Sequence, residues 1–509
     1  MSARVVVIGG SVAGLASALF LARRGVSVTV VDQDPEAAAE PTGDGARRAT
    51  PQAAHSHIFL SRLRLLLEER APEVLDALRD SGTHEIAMAD GRPPTLSGAD
   101  LPRGDELVAL AVRRSTFEDA VRSVVARTPG IELVVGTAVT GLAFAPASDL
   151  VPPRVDGVVL ADGRTLRANI VIDASGRRTS VPGWLAEAGV ELPTEVVPCG
   201  ISYVSRFYER RPGATPPRLT RGFTTGSSFD RYSCLVFPGD GRTFSVTFGI
   251  LPEDKQLRGL ADPGSFGAAV SAIPSLAWWV QPHNAVPTSD PRLMNGLKNR
   301  LRRHVVDGRP LVLGLAAIGD AVSTTNPAHS RGTTLAFVQA ASVADAAIRS
   351  GVVDCSMDVD GLTAFARRVD RAVDENLLPW FEDSIGQDAA RLSRWRPDED
   401  PGDRLPISSP DRVTNGEAIG ASAFDPEVWA RFARLQNLLD VPAEVLADPV
   451  FVHRVRAVQA SGAAAPPAVA PSHDELVALI DAHRSAQRRS VARPPARPAD
   501  GDAPVAWAS

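Results

Sequence analysis

Residues 4–32 of the sequence read RVVVIGGSVAGLASALFLARRGVSVTVVD. The apolar run at residues 5–8 is typical of a buried strand, and the leucines and alanines after the glycines recur on one face of a helix. A second valine-rich run then leads to Asp32. The pattern predicts a strand, a helix and a second strand that together form one βαβ unit.

The loop between the first strand and the helix is rich in glycine. Gly9 permits a sharp turn, and Gly14 lets helix and strand approach closely, so that the helix N-terminus faces a pyrophosphate. Ser11 stands where the usual fingerprint has its middle glycine. Asp32 follows about 20 residues on, where a carboxylate accepts hydrogen bonds from ribose hydroxyls. The loop predicts a dinucleotide site, for FAD or NAD; the alternative is a small-residue turn that binds nothing.

Further helices and strands complete the first part of the chain. A helical hairpin is predicted from Leu60 to Gly82. Another helix is predicted to start at Ser115, which forms a capping box with Glu118. Short strands are predicted at 131–135, 139–144, 155–160 and 170–173.

The pattern divides the chain into five segments. Residues 185–295 alternate polar and apolar side chains, which is typical of strands, and form the candidate substrate domain. Residues 1–184 and 296–350 carry the cofactor-type segments, so the cofactor domain is predicted to be discontinuous. Residues 351–460 are predicted to be helical. Residues 461–509 include SGAAAPPAVAP and an end rich in arginine, proline and alanine, and are predicted as a linker and flexible tail.

Two later segments extend the first motif. One is IVIDASG at residues 170–176, and the other is IGDA at residues 318–321, followed by Pro327 and Gly332. The three segments, in this order, resemble the FAD-binding domain of the single-component flavoprotein monooxygenases, which include aromatic hydroxylases and epoxidases. Geranylgeranyl-reductase-like enzymes share this domain. The resemblance implies an α/β fold: a discontinuous Rossmann-like FAD-binding domain, an inserted β-rich substrate domain and a C-terminal helical region.

The resemblance also implies cofactor contacts. Asp320 would bind the ribitol or pyrophosphate side of FAD, and Gly332 would open a helix whose positive end points at the flavin N1 and C2 carbonyl. Arg114 matches the family's cofactor-contacting arginine, with Arg113 as the alternative, and Val139 would lie beside the adenine. The full predicted set is Gly9, Ser11, Gly14, Asp32, Arg114, Val139, Asp320, Pro327 and Gly332.

Three features are left with two interpretations each. The 170–176 segment ends in A-S-G where the family has A-D-G, so it is either a cofactor motif or a structural turn. Residues 51–57, PQAAHSH, resemble a P-Q-x-x-H-x-H loop close to the flavin in bacterial FAD enzymes of natural-product metabolism; Arg47 or Arg48 upstream would touch the pyrophosphate or lie on the surface. His329 would lie near the flavin edge as an acid or as a lining residue. One H-x-H without a third ligand does not make a metal site, so no metal is predicted.

The composition excludes several classes of function. The chain has 509 residues, 44% of them hydrophobic and 22% charged, and a formal charge of −6, so it lacks the basic field that binds nucleic acid. Cys199, Cys234 and Cys355 form no C-x-x-C pair, which favours a reducing compartment. No apolar run reaches the roughly 20 residues of a membrane span. We therefore expect a cytoplasmic protein.

The resemblance implies the chemistry as well. In the family, NADH or NADPH binds transiently and reduces the flavin, and molecular oxygen then supplies one atom to the substrate. The primary hypothesis is hydroxylation or epoxidation of an apolar small molecule in secondary metabolism. The alternatives are a geranylgeranyl-type reductase of double bonds and a non-catalytic FAD-binding module; a halogenase is disfavoured because the W-x-W-x-I-P pattern is absent. No catalytic residue is predicted, since the family's proteins supply shape and electrostatics.

Overall fold

A computed structural model of the protein describes residues 4–35, 56–101, 105–146, 152–351, 358–399, 404–465 and 468–491. Within these ranges the chain forms a parallel sheet flanked by helices, a β-rich unit built on an antiparallel sheet, and a group of C-terminal helices. The α/β fold class predicted from the sequence is confirmed.

Strands and helices alternate in the first third of the chain and helices predominate in the last. The strands are β1 (Arg4–Ile8), β2 (Ser27–Asp32), β3 (His84–Ala87), β4 (Val108–Ala111), β5 (Ile131–Val135), β6 (Val139–Phe144), β7 (Val155–Leu160), β8 (Thr165–Arg167), β9 (Ile170–Asp173), β10 (Thr194–Pro198), β11 (Ser202–Arg210), β12 (Thr225–Ser228), β13 (Tyr232–Pro238), β14 (Thr243–Ile250), β15 (Ala285–Pro287), β16 (Arg292–Met294), β17 (Lys298–Arg302), β18 (Val305–Val306), β19 (Arg309–Pro310), β20 (Leu315–Ala317) and β21 (Ser323–Thr324). The helices are α1 (Val12–Ala22), α2 (Ser61–Arg70), α3 (Pro72–Asp80), α4 (Arg114–Arg127), α5 (Val181–Glu187), α6 (Pro263–Ser271), α7 (Gly332–Arg349), α8 (Val359–Asn376), α9 (Leu378–Trp395), α10 (Asn415–Ser422), α11 (Pro426–Gln436), α12 (Pro442–Val445), α13 (Pro449–Ala460) and α14 (His473–Val491).

The parallel sheet has the strand order β20-β9-β1-β2-β5. Its central strand β1 pairs in parallel with β2 and with β9, so Val6 lies between Thr29 and Val171. Helices α1 and α7 pack on one face, and the antiparallel sheet β6-β7-β8 and α5 cover the other. Burial on both faces explains why these strands are continuous apolar runs in the sequence. The order also brings the carboxyl ends of β1, β2, β9 and β20 to one edge.

Helix α4 differs in detail from its prediction. It begins at Arg114, with Arg113 as the N-cap and no side-chain cap. The predicted capping box of Ser115 and Glu118 is therefore wrong. The Glu118 carboxylate is buried and accepts a hydrogen bond of 3.1 Å from the hydroxyl of Ser11. The Glu118 side chain thus makes a tertiary contact with Ser11 in place of the local contact that a capping box requires.

The β-rich unit is built on the sheet β12-β13-β14-β11-β15, and β16 also pairs with β11. Alternation along β14 decides its two faces. Phe244, Val246, Phe248 and Ile250 are buried in a core shared with α6, whereas Thr247 points to the opposite face, which lines a cavity. This alternation is the one on which the sequence prediction rested.

Helix α14 lies within residues 461–509, which the sequence analysis assigned to a linker and tail. Leu476, Val477 and Ile480 on this helix are buried against α6 and the β-rich sheet. Their spacing places them on one helical face. The apolar stripe is short and lies between two segments of low hydrophobicity, so it gave only a weak helical signal.

Candidate functional site

The glycine-rich loop forms a tight cradle at the carboxyl end of β1. Gly9 has a φ of +100°, and a methyl group there would lie 2.6 Å from the carbonyl oxygen of Ala174. A methyl group on Gly14 would lie 1.9 Å from the carbonyl oxygen of Gly9. Ser11 is the N-cap of α1, and no acidic residue lies in the first turn of that helix. The loop therefore fits a bound pyrophosphate, because glycine backbone lies at the helix N-terminus and no acidic residue occupies the first turn of the helix.

Asp32 lies beside this loop at the end of β2. Its carboxylate is buried and lies 3.6 Å from the guanidinium of Arg122. A methyl group at Gly10 would lie 2.6 Å from Asp32 Oδ2, so loop and carboxylate are in close contact. The backbone N–H of Thr137 donates to the carbonyl of Asp32, which holds the segment leading into Val139 against the end of β2. Val139, the first residue of β6, is half-buried.

Arg114 joins the two helices predicted to face the cofactor. Its guanidinium is buried and donates to the hydroxyl of Ser11 at 3.3 Å and to that of Thr333, in the first turn of α7, at 2.6 Å. The neighbouring Arg113 instead forms an ion pair of 2.6 Å with Asp240 in the β-rich unit. The structure thus places Arg114, and not Arg113, at the glycine-rich loop.

The late motif lies against the same loop. Gly319 has a φ of +59°, its N–H donates to the side chain of Gln339 at 2.6 Å, and a methyl group there would lie 3.1 Å from Ala13. The next residue, Asp320, is half-buried. Burial raises the pKa of its carboxyl, and the guanidinium groups of nearby arginines, with Arg114 the strongest, oppose that rise. Asp320 and Arg114 are therefore close enough to interact electrostatically.

The side-chain hydrogen bonds of the middle motif lie within its own turn. The Asp173 carboxylate accepts hydrogen bonds from the hydroxyl of Ser175 at 2.5 Å and that of Thr179 at 2.6 Å. Burial raises the pKa of Asp173, although these hydrogen bonds oppose the rise. Both carboxylate oxygens of Asp173 accept hydrogen bonds within the turn. The backbone of Ala174, in the same turn, lies directly against Gly9.

The loop before α7 is held by a buried polar network. Asn326 accepts from the hydroxyl of Tyr203 at 2.6 Å and donates to Asp388 on α9 at 2.5 Å. It also caps the short turn Pro327–His329. Pro327 and Gly332 are exposed, and no acidic residue lies in the first turn of α7.

His329 is the last residue of the short turn that precedes α7. Burial, with help from the Arg331 guanidinium, lowers the pKa of His329 to about 3. Its Nε2 has no hydrogen-bond partner among the residues that the structure describes. Both features favour the neutral imidazole near pH 7.

The histidine segment at residues 51–57 is described only at its end. Residues 51–55, Arg47 and Arg48 lie outside the described residues. The His57 ring stacks on Phe59 at 6.3 Å, and the hydroxyl of Ser56 lies 2.6 Å from that of Thr247. The described ranges contain no cluster of three potential metal ligands and no helix long and apolar enough to cross a membrane.

A cavity of about 1200 Å³ adjoins the loop Pro327–His329. The β-rich sheet forms one wall, with Ser205, Leu235 and Thr247, and α9, α10 and α11 form the opposite wall. These lining residues could not be predicted from the sequence, because they come from segments that are far apart in the chain and none carries a motif.

Comparisons with known proteins agree with this architecture. Residues 4–115 match the family described as FAD dependent oxidoreductase. Protein Rv3254 of Mycobacterium tuberculosis is 27% identical over 493 residues, which cover 89% of this chain and 94% of that protein. The ubiquinone hydroxylase UbiL of Rhodospirillum rubrum is 30% identical over 182 residues, 35% of this chain and 38% of that protein. The menaquinone reductase of Mycolicibacterium smegmatis is 34% identical over 247 residues, 48% and 53% of the two chains.

Solved structures share the fold at low sequence identity. PqsL, a probable FAD-dependent monooxygenase from Pseudomonas aeruginosa, is 16% identical with a TM-score of 0.53, over 77% of this chain and 98% of that one. The p-nitrophenol 4-monooxygenase PnpA from Pseudomonas putida is 16% identical with a TM-score of 0.55, over 86% and 99%. Residues 4–115 are thus similar to the family described as FAD dependent oxidoreductase, and the chain shares the fold of these two monooxygenase structures.

Proposed function

We propose that the protein is a monooxygenase, which uses NADH or NADPH and molecular oxygen to hydroxylate or epoxidise a small molecule with an apolar body in secondary metabolism. The observation that carries the proposal is the cavity of about 1200 Å³ that opens onto the loop before α7. Known ligand pockets are about 300–1,000 Å³, so this cavity has room for a sizeable substrate beside a flavin ring. A cytoplasmic location is part of the proposal, and the buried free thiols of Cys199 and Cys234 are compatible with it.

The predicted cofactor residues fit FAD. The N-terminus of α1 would hold the pyrophosphate, Asp32 would accept from the adenosine ribose, and Val139 would lie beside the adenine. Asp320 would accept from ribitol hydroxyls, and Pro327 and Gly332 would lie beside the ring. Bound FAD would supply the redox chemistry: it accepts a hydride from the nicotinamide and, once reduced, activates oxygen.

The chain's own residues would create the environment for that chemistry. The N-terminus of α7 offers backbone N–H groups with no competing acid in its first turn, which favours negative charge nearby. Leu235 and Phe237 on the sheet and Phe432 on α11 would form apolar parts of the cavity wall, against which the body of a substrate could pack. His329 also lines the cavity, and its lowered pKa favours an imidazole that adds no charge there.

Reduction of a double bond is the second candidate. The menaquinone reductase matches 247 residues at 34% identity, whereas the ubiquinone hydroxylase matches 182 residues at 30% identity. Neither alignment reaches two thirds of this chain. Hydroxylase and reductase share the FAD-binding part, so the choice depends on the fate of oxygen.

Labelled oxygen decides between the two reactions. Compounds that accelerate NADH or NADPH oxidation by the FAD-loaded protein should be converted under labelled dioxygen, and mass spectrometry should find one labelled atom in the product. The enzyme without FAD is the control. Conversion of the same compound under strict anaerobiosis, with no label in the product, would establish the reductase instead.

Removal of either carboxylate should weaken FAD binding. Loss of a charged hydrogen-bond acceptor costs about 1.5–3 kcal/mol, so Asp32→Ala and Asp320→Ala should each reduce FAD affinity roughly ten- to a hundredfold. Fluorescence titration of the apoprotein with FAD measures the effect. Asp162→Ala, in an exposed turn, is the matched control and should bind as the wild type does. Unchanged affinity in both site variants would show that the two ends of the cofactor lie elsewhere.

A further inference from the structure

The walls of the cavity carry an excess of positive charge. Among the described residues, the charged side chains that line it are four arginines and one glutamate: Arg218, Arg221, Arg391, Arg394 and Glu417. The chain as a whole has a formal charge of −6. The local excess is therefore opposite in sign to the charge of the protein.

Two of these five side chains are already neutralised by protein partners. Although burial opposes it, hydrogen bonds from its neighbours, including Arg456 at 2.6 Å, lower the pKa of Glu417 to about 2. Arg391 forms an ion pair of 2.7 Å with Asp388. Glu417 is thus occupied by a cation outside the cavity lining and does not balance the remaining arginines.

Arg221 and Arg394 have no such partner. Among the described residues, neither guanidinium has a hydrogen bond or ion pair, whereas Arg218 donates to the carbonyl of Asp90 at 2.5 Å. The side chains of Arg221 and Arg394 are exposed and line the cavity, and partial desolvation by the surrounding protein lowers the pKa of both guanidinium groups. Neither guanidinium has a counter-ion among the described residues, so an anion that enters the cavity would supply one to both.

We infer that the cavity takes a small molecule that carries an acidic group, such as a carboxylate, and that Arg221 and Arg394 recognise it. The inference rests on the proposed function for the identity of this ligand as the substrate. The apolar walls at Leu235, Phe237 and Phe432 would hold the body of the molecule. A guanidinium matches the planar carboxylate with two parallel hydrogen bonds, which gives orientation as well as affinity.

The test compares an acid with its neutral isostere. The FAD-loaded protein is titrated with 2-naphthoate and with 2-naphthamide, and binding is measured calorimetrically for the wild type, Arg221→Gln and Arg394→Gln. A charge-assisted hydrogen bond corresponds to about tenfold or more in affinity, so the wild type should prefer the acid by at least that factor. One or both variants should lose most of this preference. Added chloride should reduce it in the wild type by screening.

The control is Arg164→Gln, an exposed arginine in the turn between β7 and β8, which should keep the full preference. FAD content and thermal unfolding of each variant check that the fold is intact. Equal binding of acid and amide by the wild type, no binding of either, or an unchanged preference in both cavity variants would overturn the inference. Weaker NADPH binding with an unchanged preference for naphthoate would assign the arginines to the dinucleotide phosphates instead.

This result is independent of the oxygen chemistry. A preference for the acid that both arginines support, with no label in the product, would leave the anion site standing and reject the monooxygenase. Label in the product with no preference for the acid would support the monooxygenase and reject the anion site.

Discussion

Gly14→Ala should give a protein that is purified without most of its FAD. The added methyl group would lie 1.9 Å from the carbonyl oxygen of Gly9, which is far inside van der Waals contact. Gly9 has little freedom to retreat, because its N–H donates to the carbonyl of Val31 at 2.8 Å. Such overpacking costs about 1–3 kcal/mol, so FAD affinity should fall roughly ten- to a hundredfold if the loop shifts away from the pyrophosphate.

Flavin content after gel filtration and chemical unfolding of the apoprotein measure the two parts of this effect. Gly267→Ala is the matched control, since a methyl group at this position in α6 meets no atom within 4 Å. Alanine favours a helix over glycine by about 1 kcal/mol at most, so the control should be as stable as the wild type or more so. Full FAD content and unchanged unfolding in Gly14→Ala would show that the cradle is not the cofactor site.

Asp383→Ala should produce the largest loss of folding stability. Arg331, the N-cap of α7, forms an ion pair of 2.6 Å with Asp383, and both side chains are almost fully buried. The guanidinium also lies over the ring of Trp380 at 4.8 Å. Removal of the carboxylate leaves a buried cation without its partner, which costs about 3–5 kcal/mol. Urea unfolding of the FAD-loaded protein measures the change.

A double variant separates the effect of the uncompensated charge from the effect of side-chain packing at this site. Arg331→Met with Asp383→Leu removes both charges, so it should be less destabilised than Asp383→Ala alone. The exposed Asp162→Ala should change stability by no more than about 1 kcal/mol. A double variant as unstable as the single one would mean that shape at this position, and not the uncompensated charge, decides stability.

The ion pair of Arg331 and Asp383 also predicts how the folding stability depends on pH in the acid range. Although burial opposes it, Arg331 lowers the pKa of Asp383. The stability from this carboxylate is therefore fully present above its ordinary pKa of about 3.9 and is lost as pH falls through the lower folded value. The difference in the free energy of unfolding between the wild type and Asp383→Ala should therefore become smaller as pH falls through that range. His329 adds a loss that begins below about 6.5, because the unfolded chain takes up a proton that the folded imidazole does not.

Local signals in the sequence were sufficient for the elements around the cofactor site. The strands predicted at 131–135, 139–144, 155–160 and 170–173 have these bounds in the structure, because each is a short apolar run ended by a turn. The βαβ unit at residues 4–32 was equally clear, since its strands are buried on both faces and its glycines are needed for one close approach. The α/β fold followed from these features and is confirmed, and the match of residues 4–115 to the family described as FAD dependent oxidoreductase agrees with the predicted cofactor. The roles of the individual cofactor residues stay predictions.

Only the tertiary structure decided which side chains meet. Arg114 and Arg113 are equivalent in sequence, but one contacts Thr333 and the other Asp240. Glu118 was expected to cap a helix and instead accepts from Ser11. The cavity, its two arginines that lack a partner among the described residues, and the docking of α14 were likewise not visible in the sequence. These contacts join residues that are a hundred or more positions apart, and periodicity records only which face of an element is buried, not what it is buried against.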